Sequence, residues 1–380
     1  MALTIGGANS AEMAARLWSG ALSAFFIVYF FVVGGVVGSF LNVVVYRMPI
    51  GKNLLWPGSR CPCCDTPIRL TDNIPIISWL RLKGRCRACD CPIPPRYMLV
   101  ELATATIFLG LALLELLSGG INLPYRPINP HGGVYWILWE TKWDLVGIYL
   151  FHCCLASILI SAGLIVWDGK LLPGRLVAFG LAVGLLLPLL FPLLRPLPWR
   201  ADLNIAGTAW RGLVDGLLGY AAGILGGMLL NSAAIRGRAG LHRGRGSVDI
   251  LAIVGAMLGW QAVVGVAVWT ALGLTTQQVW SAARGVARRW PVGCMAAMAV
   301  SPQLALWRVQ HEWLARFDRE SGLALPLAML ASAALLWLTS RILPEPSEIS
   351  QADEPTQGGE QPDSPQPLAP PEASEFDTIA

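Results

Sequence analysis

Charged side chains are scarce in this sequence: Asp, Glu, Lys and Arg together make up only 14% of its 380 residues. Hydrophobic residues make up 54%, and the mean hydropathy is +0.55. A soluble domain of this length carries more charge and shorter apolar runs, so the composition excludes an ordinary water-soluble protein. A repeat of fixed period is also missing, which excludes a repeat array.

Long apolar runs are present instead, and several approach or exceed the roughly 18 residues that a transmembrane helix needs. We predict eight spans, at residues 21–46, 97–117, 145–166, 176–194, 212–234, 249–273, 290–307 and 322–342. A cleaved signal peptide is the alternative for the first run, but that run is long and others follow it. The sequence therefore predicts an all-α polytopic protein of the lipid bilayer, with about eight transmembrane helices and both termini on one side.

Positive charge is concentrated in the first loop, which has nine Lys and Arg residues from Arg47 to Arg96, both included. A nucleic-acid-binding patch is the alternative, but a basic loop between two apolar spans is typical of the cytoplasmic side of a membrane. We therefore predict no nucleic-acid partner, a cytoplasmic loop at 47–96 and a periplasmic N-terminus. With eight spans, Arg284 and its neighbours Arg288 and Arg289 fall on the outer side, against this rule.

The chain divides into regions by composition. Residues 1–20 form an N-terminal segment, and 21–117 contain the first two spans with the cytoplasmic loop between them. We predict an outer loop at 118–144 and a second membrane domain at 145–342. Residues 343–380 are acidic and rich in proline, a composition that cannot bury a core, and are predicted to be a disordered tail.

Six of the nine cysteines lie in the cytoplasmic loop. Two C-x-x-C pairs, separated by 21 residues, have the spacing of a zinc ribbon, in which four thiolates surround one ion. Disulfides are the alternative, which a reducing compartment disfavours. We predict a structural zinc site at Cys61, Cys64, Cys86 and Cys89. Cys63 and Cys91 are then spectators or substitutes.

Carboxylates at the edge of a bilayer are costly and are candidates for function. Asp168 ends the third predicted span and Asp249 begins the sixth, both at the cytoplasmic boundary. Two carboxylates in a confined site share a proton, so one activates water while the other polarises a peptide carbonyl. This pattern predicts an aspartic protease. The alternatives are that each acid only caps a helix end, or that both belong to the proton relay of a transporter or channel.

Three segments resemble the type IV prepilin peptidases: "GSFLNVVVYRMP" (38–49), "DNIPIISWLRLKGRCRAC" (72–89) and "PPRYMLVELATA" (94–105). These are aspartic proteases of the bacterial inner membrane, with eight spans and a cytoplasmic cysteine loop. The resemblance implies removal of basic leader peptides from prepilins or pseudopilins. It also implies N-methylation of the new N-terminus, with S-adenosylmethionine as the methyl donor.

The acids do not match the register of that family. In "IVWDGKLLPG" the family's first catalytic Asp falls on Val166, and Asp168 matches an accessory acid two residues on. Its G-x-G-D motif falls on residues 244–247, which read GRGS, so Ser247 replaces the acid and Asp249 follows it. Two residues of helix rotate a side chain by about 200°, unless an irregular helix end absorbs the displacement. We take Asp168 and Asp249 as the candidate catalytic pair; the alternative is an inactive pseudopeptidase that binds prepilins or assists pilus or secretion assembly.

Overall fold

The computed structural model describes residues 10–124, 126, 133–134, 139, 142–195, 209–234, 241–284, 290–317 and 324–342. The predicted tail at 343–380, residues 1–9 and most of 125–141 in the predicted outer loop lie outside the described residues. Within the described part the chain is helical, and two isolated β-bridges take the place of strands. The prediction of an all-α protein is confirmed.

Eleven α-helices lie in the described ranges. They are α1 (Ser10–Arg47), α2 (Ile77–Arg81), α3 (Arg96–Leu111), α4 (Trp143–Trp167), α5 (Gly174–Leu190), α6 (Ala209–Ala234), α7 (Leu241–Leu258), α8 (Trp260–Arg284), α9 (Val292–Ala305), α10 (Trp307–Phe317) and α11 (Ala324–Ile342). A π-helical turn, Ala112–Leu117, continues α3, and short 3-10 turns occupy Leu70–Asp72 and Pro192–Leu194.

The helices include several that are long and apolar enough to cross a bilayer. Five meet this description: α1, α3 with its π-helical turn, α4, α6 and α8. The pair α9 and α10, bent by 75°, is a sixth candidate, and α5 and α11 are shorter apolar helices. The chain is therefore an integral membrane protein, as its composition predicted.

The predicted single span at 249–273 is wrong, because Gly259 divides it into α7 and α8. Gly259 has a φ of +89°, a conformation that glycine adopts at no steric cost. Beyond it the chain reverses: along α8, Gly265 packs on Gln303 and Gly273 packs on Met295, so α8 and α9 are antiparallel. At the start of α9, Gly293 lies against Ser247 near the start of α7. The bundle therefore contains one more crossing here than the sequence predicted.

This extra crossing corrects the predicted topology. The end of α8, at Arg284, returns to the bundle face that carries the starts of α7 and α9, and Ser340 near the end of α11 donates to the carbonyl of Ala233 at the end of α6. The two ends of the membrane region therefore lie on opposite faces, and the prediction that they share one face is wrong. Arg284 no longer counts against the positive-inside rule; Arg288 and Arg289 lie outside the described residues.

Helices α6 and α7 are joined by a seam of small residues. Gly219 lies against the backbone of Gly255, Gly223 against Leu251 and Gly227 against Val248, and a Cβ at any of the three glycines would clash with that backbone. Small residues spaced four apart allow two membrane helices to approach this closely. The seam, defined here as Gly219, Gly223 and Gly227 with the facing turns of α7, fixes the position of the helix that carries Asp249.

Candidate functional site

The four predicted metal ligands lie together at the tip of the loop. The Sγ atoms of Cys61, Cys64, Cys86 and Cys89 are all within 4.8 Å of one another, and those of Cys61 and Cys89 are 3.7 Å apart. Sulfur atoms around a tetrahedral zinc, each about 2.3 Å from the ion, are about 3.8 Å from one another. The donor set and its spacing therefore fit a structural zinc ion.

Two equivalent turns present these cysteines. In the first, the amide of Asp65 donates to the carbonyl of Cys61; in the second, the amide of Asp90 donates to that of Cys86. Asp65 and Asp90 both have positive φ, 52° and 59°. A hydrogen bond between the side chains of Cys64 and Thr66 lowers the pKa of the Cys64 thiol to about 6.

Cys63 and Cys91 lie outside the four-sulfur cluster. A disulfide joins them, and their Cα atoms are 6.5 Å apart. They were predicted to be spectators or substitutes, and in this structure they link the two turns instead of completing the metal site.

An ion-pair network at the protein surface stabilises the second turn. The carboxylate of Asp72 accepts hydrogen bonds of 2.7 Å from Arg81 and from two nitrogens of Arg87, and its side chain is only 5% exposed. The hydrogen bond from Arg87 holds the pKa of Asp72 below its usual range. The contact therefore ties the chain between the two turns to the second of them.

We expect Asp72→Asn to make the loop less ordered, and we expect the order of the variant loop no longer to depend on acid pH. Because the pKa of Asp72 is lower in the folded loop than in an unfolded chain, the stabilisation is present above about pH 4 and is lost as the pH falls through the folded-state value. Amide exchange protection of residues 70–92, measured from neutral to acid pH, should fall in the wild type and be low throughout in the variant. Asp65→Asn, which removes the exposed partner of Arg60, is the control; equal protection in Asp72→Asn and wild type would contradict the expectation.

Asp168 follows the last residue of α4 and is held by Arg96. The two guanidinium nitrogens of Arg96, at the start of α3, donate to the two carboxylate oxygens of Asp168 at 2.5 and 2.9 Å. The Asp168 side chain is 23% exposed. Asp168 thus lies at the helix end where it was predicted, with an arginine as its partner; among the described residues no hydrogen bond or ion pair joins it to Asp249.

Asp249 lies inside α7 and is half-buried. The helix is regular from Leu241, so Ser247 and Asp249 are both within it, and no irregular helix end absorbs the two-residue displacement. Asp249 comes three residues after Gly246 and is rotated from it by about 60°. Later turns on this side of α7 pack on α5, where Ile253 contacts Gly180. Asp249, one turn before Ile253, therefore lies on the side of α7 that packs on α5.

The two segments that match the family's catalytic motifs lie against each other. Gly246 packs directly on the side chain of Val166, which is buried. Ser247 is fully buried, and its hydroxyl oxygen, with one proton to donate, lies 2.6 Å from both Asn231 Oδ1 and the Gly244 carbonyl oxygen. The fold therefore brings the two motifs together at Val166 and Gly246, the residue before Ser247, and Asp168 and Asp249 are two and three residues from this contact along the chain. The sequence contained no signal for the roles of Arg96 and Asn231, which lie far from these motifs along the chain.

A cavity of about 1000 Å³ lies between the cysteine loop and the adjoining ends of α1 and α3. Its walls combine aromatic rings, among them Tyr46, Trp56 and Tyr97, with the charged side chains of Arg47 and Glu101. Its size is at the upper end of the range for small-molecule sites, about 300–1,000 Å³. The cavity can therefore hold a ligand larger than a single metal ion or water molecule.

The sequence was compared with protein families and with solved structures. Residues 32–114 match the family described as the bacterial peptidase A24 N-terminal domain. No solved structure matches the chain.

Curated relatives extend the match beyond that domain. A prepilin leader peptidase/N-methyltransferase of Pectobacterium carotovorum subsp. carotovorum is 31% identical over 72% of this chain and 87% of its own length. The protein of that name from Klebsiella pneumoniae is 33% identical over 62% of this chain and 86% of its own length. The one from Myxococcus xanthus is 31% identical over 65% of this chain, which spans 60% of that relative. The chain belongs to the prepilin leader peptidase/N-methyltransferase family.

Proposed function

We propose that this protein removes the basic leader peptide from type IV prepilins or pseudopilins and methylates the N-terminus that the cut exposes. The observation that carries the proposal is the match to relatives named for these two activities over 86% and 87% of their length. Both reactions act on a substrate that is itself anchored in a bilayer, which fits a catalyst built from membrane helices.

For leader removal we infer that Asp168 and Asp249 are the catalytic acids. The contact between Val166 and Gly246 supports this, because Asp168 is two residues beyond one and Asp249 three residues beyond the other. One carboxylate takes a proton from water as it attacks the peptide carbonyl, and the other, protonated, donates a hydrogen bond to the carbonyl oxygen. This division of roles needs no metal. Arg96 orients the Asp168 carboxylate through its two hydrogen bonds.

For the cysteine loop we infer a structural zinc ion, held by Cys61, Cys64, Cys86 and Cys89. Four sulfur ligands fill the coordination shell of zinc and leave no position for substrate or water. The ion would hold the two turns together and thereby shape one wall of the cavity, which Cys61 and Cys86 line.

For methylation we infer that S-adenosylmethionine binds in this cavity. Its size suits such a ligand, its aromatic walls suit an adenine ring and a sulfonium group, and an arginine such as Arg47 suits a carboxylate. When bound, this cofactor supplies the methyl group. The protein's own contribution is to orient the amine at the cavity mouth and to keep bulk water from it.

We expect Trp56→Ala to lower methylation about tenfold or more while leader removal continues, because the exposed Trp56 ring lines the cavity and is remote in sequence from both acids. Mass spectrometry of the mature pilin resolves the two products, since a methyl group changes the mass of the cleaved chain. Leu55→Ala, at an equally exposed neighbour that does not line the cavity, is the control. Full methylation by Trp56→Ala would move the methyl-donor site elsewhere.

We further infer a bacterial inner-membrane location with the cysteine loop in the cytoplasm and the N-terminus in the periplasm. The nine basic residues from Arg47 to Arg96, and Arg284 on the matching face, support this orientation. We assign zinc and methyl-donor binding to residues 21–117 and leader removal to residues 145–342.

The test is co-expression of this chain in membranes with a prepilin from the same cell, followed by mass spectrometry of the pilin. The proposal expects a shortened chain with a methylated N-terminus. An intact prepilin that is still retained by this protein would indicate the pseudopeptidase alternative. An intact prepilin that is not retained would refute both readings.

A further inference from the structure

A polar cluster lies buried among the helices, far from the cysteine loop and the two candidate acids. Nδ1 of His152, on α4, is 2.6 Å from Oε1 of Glu115, and neither side chain is exposed. The amide nitrogen of Asn122 donates to the same Glu115 oxygen at 3.3 Å and to the carbonyl of Leu304 at 3.0 Å. His152 is 16 residues before Asp168 on the chain, which corresponds to about 24 Å of helix.

The backbone directs Glu115 inward and seals the cluster. Glu115 lies in the π-helical turn Ala112–Leu117, a helix defect that is frequent at functional sites. On the other side, the ring of Trp307 is 6.2 Å from that of His152 and is 2% exposed. The amide of Arg308 donates to the carbonyl of Asn122. The start of α10 therefore covers the pair at this end of the bundle.

The cluster offers too few hydrogen-bond donors to stabilise an ionised Glu115 carboxylate. Both hydrogen bonds to Glu115 reach Oε1, while Oε2 is buried without a partner among the described residues. Asn122 Oδ1 and His152 Nε2 are likewise buried and unpaired in that part of the chain. An isolated charge in such surroundings is very costly, whereas a group that carries no net charge is tolerated. A carboxylate beside a neutral imidazole would leave one uncompensated negative charge.

Among the described residues, no titratable group near the cluster supplies the missing positive charge. Tyr149 and Cys153 on α4 interact with Glu115, and Tyr29 on α1 interacts with Tyr149; tyrosine and cysteine side chains carry no positive charge in either protonation state. The arginines Arg126 and Arg308 lie in and beside the segment that follows Asn122. Arg126 pairs with Asp144 at 2.6 Å, and Arg308 donates to the carbonyls of Gly120, Ile121 and Arg126.

We propose that Glu115 and His152 form a proton-binding site that keeps one shared proton in the membrane interior and thereby joins the end of α3 to α4. The proton lies on either side of the 2.6 Å contact: as a carboxylic acid that donates to Nδ1, or as an imidazolium that donates to Oε1. Both forms are neutral overall. The site differs from the proposed catalytic acids, and its test does not depend on cleavage.

Spectroscopy of the full chain in lipid nanodiscs counts the proton directly. Between about pH 5 and pH 9, we expect one of two signatures: a protonated-carboxyl infrared band that disappears in Glu115→Gln, or nitrogen-15 signals of an imidazolium that disappear in His152→Gln. A neutral imidazole beside an ionised Glu115 at neutral pH would overturn the proposal. So would a pair whose protonation is lost within this range.

The pH dependence of thermal stability gives an independent test, because loss of a purely structural contact would lower stability equally at every pH. The pair itself should add no pH dependence to the wild-type midpoint of thermal unfolding across this range, so each variant is compared with the wild type at the same pH. His152→Leu leaves Glu115 without its partner, so the Glu115 carboxyl must be neutral in the folded protein. This variant should be most stable at low pH, and its midpoint of thermal unfolding should fall as the pH rises, by on the order of 5 °C or more. His152→Gln serves if the leucine variant does not fold, and His311→Gln on the half-buried face of α10 is the control. A pH-independent loss in both His152 variants would overturn the proposal.

Discussion

Asp168→Asn and Asp249→Asn are each expected to lower the rate of leader removal by on the order of 1,000-fold, because each variant removes one of the two groups that exchange protons with water and the peptide carbonyl. Asparagine keeps the size of the side chain and its hydrogen-bonding oxygen, so the fold should be retained. Following the leader by mass spectrometry in membranes, with equal amounts of each variant, measures the effect.

Asp144→Asn is the matched control for these variants. Asp144 also lies at an end of α4 and also pairs with an arginine, Arg126, at 2.6 Å, but it is at the opposite end of the helix from Asp168. The Asp144→Asn variant should therefore cleave the leader at the wild-type rate. Cleavage that survives in both test variants would assign the chemistry to other residues, and cleavage lost equally in all three would indicate damage to α4 and its neighbours.

Cys61→Ser is expected to reduce bound zinc from about one ion per chain to near none, since three sulfur ligands hold a structural zinc far less well than four. Cys61 is buried and lines the cavity, so loss of the ion should also disorder the loop. Elemental analysis of the purified full chain gives the zinc content, and amide exchange of residues 61–91 gives the order of the loop.

Cys63→Ser is the control that distinguishes the four proposed zinc ligands from the other cysteines of the loop. Cys63 lies in the same turn but outside the four-sulfur cluster, and so this variant should keep its zinc although it loses the link to Cys91. Equal zinc in Cys61→Ser and wild type would refute the assignment of Cys61 as a ligand. Loss of zinc in Cys63→Ser would mean that the outer pair contributes to the site.

The four-cysteine cluster was predictable from the sequence because two C-x-x-C pairs with this spacing are typical of a metal site. The reversal at Gly259 was not, because residues 249–273 are apolar on both sides of it and a single glycine is tolerated in many helices. The ion pair of Arg96 with Asp168 joins residues 72 positions apart, and no local pattern announces such a contact. The same holds for Val166 on Gly246, which depends on how α4 and α7 pack.

The glycine seam between α6 and α7 has a consequence for how the two acids approach each other. With facing backbones in contact at three successive turns, α7 is packed closely on α6, and this packing constrains the position of Asp249. Asp168, by contrast, stands at a helix end before Gly169, whose φ is +71°, and is restrained mainly by Arg96. On the proposed assignment of the two acids, the approach of Asp168 to Asp249 therefore depends on the Asp168 side, and the Arg96 contact restrains it.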